Sequence, residues 1–150
     1  MPKLQTRYFH ELEYSEQSVF EFPFGIPGFE DHTAFLFVEQ PQNKPLVFMQ
    51  SLKDPGLCFL TLPVGVVEPG YQLDLAPEEC ASLGLPAGKQ PVIGNDVSCV
   101  ALLTVFQDAD PIVNLMSPIV VNLRNRKGIQ AIQMKYSLRH PVALEAAPCS

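Results

Sequence analysis

The sequence predicts an all-β, mainly antiparallel fold, a small barrel or sandwich with one short helix. Three observations predict it. Short apolar runs with strand periodicity recur along the whole chain, 15 prolines and 9 glycines punctuate them, and only one segment carries both helix-start and helix-stop signals. At 150 residues, with 47% apolar residues, the chain is long enough for one domain over residues 1–150 with its own core. The segment "EAAPCS" reads as a frayed tail over about residues 144–150.

In chain order, "RYFHELEY" (Arg7–Tyr14) alternates Tyr8, His10, Leu12 and Tyr14 against Arg7, Phe9, Glu11 and Glu13, as a half-buried strand does. "SVFEF" (Ser18–Phe22) is a second strand, stopped by Pro23 because proline cannot donate to a ladder. "AFLFVEQ" (Ala34–Gln40) is a third, followed by a "PQNKP" turn. "LVFMQSL" (Leu46–Leu52) and "LCFLTLP" (Leu57–Pro63) flank "KDPG", a turn sequence. "APEECASLGL" (Ala76–Leu85) is the helix. Pro77 suits its first position, Glu78 and Glu79 favour the positive end of the dipole, and Gly84 closes it. "VSCVALLTVF" (Val97–Phe106) reads as a buried strand. "PIVVNL" (Pro118–Leu123) and "GIQAIQM" (Gly128–Met134) form a hairpin through "RNRK", with Gly128 expected as a left-handed turn residue.

No apolar run approaches the roughly 18 residues of a membrane span, and "MPKLQTRYFHELEY" lacks the apolar region of a signal peptide. A cytoplasmic protein is expected, with no membrane partner. Its four cysteines (Cys58, Cys80, Cys99, Cys149) lie far apart and read as free thiols, Cys58 and Cys99 in core positions. The histidines (His10, His32, His140) have no ligand spacing, so neither metal nor cofactor is expected. Net charge is −6, split into −10 through Asp110 and +4 from Pro111 onward. An acidic majority disfavours nucleic acid as a direct partner and suits a basic protein surface.

The stretch "VFEFPFGIPGFEDHTAFLFV" (Val19–Val38) sets five of its six phenylalanines (Phe20, Phe22, Phe24, Phe29 and Phe35) around two prolines and two glycines, with Glu30 and Asp31 directly behind. Phe20, Phe22 and Phe35 read as packing residues. Phe24, Ile26 and Phe29 sit among turn residues, where burial is harder, and form a candidate docking corner. Met49 and Leu52 are candidates for an adjoining apolar groove, and Glu30 and Asp31 for an acidic flank. The chain has no phosphate loop, GxSxG, HExxH or Cys–His arrangement. The pairs Glu30–Asp31 and Glu78–Glu79 are better read as turn and helix-dipole features than as acid/base dyads. The runner-up reading is a small-ligand barrel, with Tyr8, His10 and Tyr71 pointing into its mouth, or an unrecognised enzyme.

Five segments in collinear order, "FEFPFGIPGFED" (20–31), "QSLKDPGLCFL" (50–60), "PGYQLDL" (69–75), "VNLMSPIVVNLRNRKGIQAI" (113–132) and "YSLRHPV" (136–142), resemble the FliW family of flagellar assembly factors. The resemblance implies a β-barrel-like, non-catalytic protein of the cytoplasm, and a monomer is expected. It further implies two protein partners, flagellin and the carbon-storage regulator CsrA, an RNA-binding translational repressor. In that scheme binding relieves repression of flagellin translation, and accumulating flagellin recaptures the factor.

Overall fold

A computed structural model of the chain describes residues 2–86 and 88–142, so the tail expected over about 144–150, with Cys149, lies outside the described residues. Lys3–Thr6 (β1) and His10–Glu13 (β2) form an antiparallel hairpin, with Thr6 opposite His10. The alternation from Arg7 to Tyr14 therefore does not belong to one strand: a turn interrupts it. The Thr6 hydroxyl makes that turn by accepting from Phe9 N (2.8 Å) and donating to His10 O (3.1 Å), with His10 at φ 56°. A 3₁₀ turn at Glu16–Ser18, capped by Ser15, delays the next strand to Phe20–Glu21 (β3).

Ala34–Val38 (β4), Val47–Ser51 (β5), Cys58–Pro63 (β6) and Val97–Thr104 (β7) follow as antiparallel neighbours of β3 in sequence order. Beyond β6, a single helical turn at Val64–Val67 (α1), unforeseen from the sequence, precedes the expected helix, Pro77–Leu83 (α2). One edge of β7 is shared by Ile119–Asn122 (β9) along its first half and Ile112–Val113 (β8) at its end. Gly128–Gln130 (β10) pairs with β9, and His140–Pro141 (β11) with β8. The edge strand β3 then meets the turn that leads into the other edge strand, β10, because Glu21 N donates to Arg126 O at 2.8 Å beside a parallel bridge to Lys127. That contact closes the sheet into a barrel.

Strand parity divides the apolar residues between two faces. Phe22, Phe35, Met49, Val100, Ile119 and Val121 pack inside the barrel. Val97, Cys99, Ala101 and Val120 face outward, where Leu73, Leu75 and Leu83 from the α2 region cover them. β7 is covered on both faces over most of its length, which explains its apolar run from Cys99 to Leu103. The helix ends as predicted, with Gly84 at φ 72°, and its last carbonyl, Leu83 O, accepts from both Asn122 Nδ2 (2.8 Å) and Asn125 Nδ2 (3.0 Å). Glu79 accepts from Ala76 N (2.8 Å) and Ile132 N (2.9 Å), tying the segment after β10 to the helix start.

Gly128 does not serve the turn as expected. The left-handed residue of "RNRK" is Arg126 (φ 61°). Gly128 is needed for closeness, since a Cβ there would lie 2.5 Å from the Phe22 ring.

Candidate partner-binding corner

The β3–β4 connection folds as a compact double turn at one end of the barrel. Gly25 N donates to Phe22 O (2.8 Å), Phe29 N to Ile26 O (2.6 Å), and His32 N to Phe29 O (3.0 Å). Phe22 N reaches across the base to Thr33 O (2.8 Å). Gly25, at φ 66°, admits no side chain: a Cβ would stand 2.5 Å from Glu30 O.

This geometry sorts the predicted site residues. Phe22 and Phe35 are buried, edge-on at 5.4 Å, as expected of packing residues. Phe24 projects into solvent at 68% exposure. Phe29 is 37% exposed, with one face against Phe59 (5.2 Å). Ile26 (2%) and Met49 (0%) belong to the barrel core, so the docking and groove roles expected of them are corrected to packing. Ile26 is tucked beneath the turn by its pairing with Phe29, and Met49 faces inward by strand parity. Leu52, half-buried, donates its N–H to Ala34 O and borders the corner. What remains at the surface is Phe24, the outer face of Phe29, Glu30, Asp31 and the edge of Leu52.

The two carboxylates are engaged. Glu30 accepts from Gly28 N (3.0 Å), a bond that holds its carboxyl below its ordinary pKa. Asp31 accepts from Lys53 Nζ at 2.7 Å, and that hydrogen bond, with the ammonium charge, lowers the Asp31 carboxyl as well. Beneath them, Ser51 Oγ accepts from Lys53 N and Asp54 N (3.1 Å each). Its hydroxyl proton is left for His32 Nδ1 at 2.8 Å, which makes the imidazole the acceptor there and turns its Nε2–H toward Asp31 (3.8 Å). The β5–β6 turn and the corner are thus one hydrogen-bonded unit. The β1–β2 hairpin leans on it through Arg7 N to Pro55 O (3.1 Å).

The residues proposed for a ligand barrel do not converge. Tyr8 and His10 are exposed around the β1–β2 turn, while Tyr71 is buried, donating to Leu115 O (2.6 Å) and stacked on Tyr136. Burial raises the Cys58 thiol to about 11 and Cys99 to about 12, so both are protonated at neutral pH and poor nucleophiles. Cys99 is buried as expected, whereas Cys58 is only partly so. Among the described residues no group of three His, Cys, Asp or Glu side chains is placed to hold a metal ion. None of their helices is long and apolar enough to cross a membrane.

The charge division of the sequence is less clean in space. The basic turn Arg124–Lys127 abuts acidic β3 through Glu21. Arg124 also lines, with Lys89 and Asp96, a polar depression of about 440 Å³ beside the end of α2.

A sequence profile of the FliW protein matches residues 3–142. The flagellar assembly factor FliW of Desulfitobacterium hafniense is 33% identical over 147 residues, covering 96% of this chain and 93% of its own. That of Clostridium botulinum (strain 657) is 31% identical over 148 residues, covering 97% and 99%. A crystal structure of the flagellar assembly factor FliW superposes with a TM-score of 0.81 at 29% identity, over 97% of this chain and 100% of that one.

Proposed function

Since the chain belongs to the FliW family, we propose that it is a non-enzymatic, cytoplasmic flagellar assembly factor that binds flagellin and CsrA in turn. Release of CsrA restrains flagellin translation, and capture of CsrA relieves that restraint. The observation that carries the reading is the match to FliW along nearly the whole chain, joined to a rigid corner that holds Phe24 in water. An aromatic kept exposed on a compact glycine turn, with carboxylates already satisfied by local donors, is suited to docking and poorly suited to proton transfer. Flagellin is assigned to the corner. CsrA is assigned to the acidic N-terminal two-thirds, whose field favours a basic RNA-binding protein and repels RNA. A competition experiment tests the switch. The purified protein is saturated with labelled CsrA and titrated with flagellin; release of CsrA is the expected result. Failure to bind either protein at micromolar concentration contradicts the proposal.

A further inference from the structure

The corner fills one end of the barrel, and the other end is open. β4 runs away from the corner from Ala34 toward Glu39, and β5 returns from Val47 to Ser51. At the far end Phe20, Phe37, Val47, Val100, Ile119 and Val121 enclose a cavity of about 150 Å³. Pro63, Ser98 and Leu123 complete its lining, with Leu123 46% exposed at the lip. Phe20 and Phe37 meet edge-on at 5.1 Å and wall one side. One charged residue lines this mouth, the exposed Glu39, and among the described residues it forms no ion pair.

Size and chemistry restrict the occupant. Sites for drug-sized molecules run from about 300 to 1,000 Å³ and hold several convergent polar groups. This one is about half the lower bound, and Ser98 is its one hydroxyl. A cavity of this size lined by aliphatic and aromatic side chains takes a benzene-sized group. We propose that the mouth is an anchoring pocket for one large apolar side chain of a protein partner, presented on a segment that carries lysine or arginine beside it. The apolar group fills the barrel end as a buried anchor residue does at an interface. The neighbouring cation meets Glu39, which is exposed and has no ion-pair partner among the described residues. The pocket lies a strand's length from the corner, so this assignment does not depend on what the corner binds.

The test uses the full chain with ¹³C-labelled valine and isoleucine methyl groups. It is titrated separately with the capped peptides Ac-Lys-Phe-Lys-NH₂ and Ac-Glu-Phe-Glu-NH₂ and with phenethylammonium. The cationic peptide is expected to shift the methyls of Val47, Val100, Ile119 and Val121 and to leave Ile129, in the other cluster, unmoved. The anionic peptide should bind about threefold more weakly or worse, as for an exposed charge pair. Glu39→Gln should bring the two peptides within about twofold of each other. Ser98→Phe, which fills the mouth, should abolish both responses; if that variant does not fold, the Glu39→Gln comparison decides alone. No response to either peptide, equal binding of the two by the unaltered protein, or a response that survives Ser98→Phe overturns the proposal. A response to phenethylammonium without one to the cationic peptide also overturns it, because the mouth then takes a free amine.

Discussion

Phe24 and Phe29 stand in one loop but carry different duties. Phe24 is largely exposed and stacks on no other aromatic ring among the described residues, whereas Phe29 packs edge-on against Phe59. A change at Phe29 thus mixes folding with binding, and a change at Phe24 does not. The carboxylates behind them make a second prediction. Both Glu30 and Asp31 have folded pKa values below their unfolded ones. Their contribution to the corner is complete above the unfolded range, roughly pH 4, and is lost as the pH falls through the lowered folded values. Lys53 is the main cause for Asp31. In Lys53→Met, an NMR titration should therefore find the Asp31 carboxyl returned upward toward its ordinary value. An unchanged Asp31 titration contradicts the assigned cause. The sequence showed the acidic pair but not its engagement, because Lys53 is 22 residues away and reaches Asp31 only once β4 and β5 are paired. Nor did it show the burial of Ile26 and Met49: turn composition says where the chain bends, not which side chain falls beneath the bend.

Among the elements, those that carry their own punctuation were legible and those made by tertiary partners were not. α2 announced itself through Pro77, its first-turn glutamates and Gly84. β4, β5 and β6 were readable from apolar runs bounded by proline and glycine. The β1–β2 turn has no glycine, proline or asparagine; a threonine hydroxyl makes it, so alternation ran through it undetected. β8 and β11, two residues each, are too short for a period. Gly128 departs from expectation because a glycine after a charged turn suggests a backbone need, while here it makes room for Phe22 at the closure of the barrel. Gly128→Ala should accordingly destabilise the protein by about 1–3 kcal/mol, as overpacking does. Gly65→Ala, in open space on α1, should be neutral or slightly stabilising. Chemical denaturation of the two variants checks this, and equal stabilities remove the close-approach argument.

For the whole molecule, the −10 and +4 halves suggest an acidic protein that steers basic partners. The fold tempers that picture by laying the basic turn against β3 and pairing Asp31 with Lys53. The acidic excess remains, and association with CsrA should slow several-fold as salt shortens the screening length from about 10 Å at 0.1 M to about 3 Å at 1 M. At low salt, Glu30→Lys with Asp31→Lys should reproduce part of that loss, and Arg124→Glu with Arg126→Glu should not. A slower arginine variant reverses the proposed polarity. The central claim, that the barrel presents the β3–β4 corner to flagellin, is tested most directly by the affinity of Phe24→Ala for flagellin, measured by calorimetry beside its melting temperature. The account predicts an unchanged melting temperature and a Kd weaker by roughly thirtyfold, the effect of about 2 kcal/mol from one aromatic anchor. An unchanged Kd in a folded Phe24→Ala protein contradicts it.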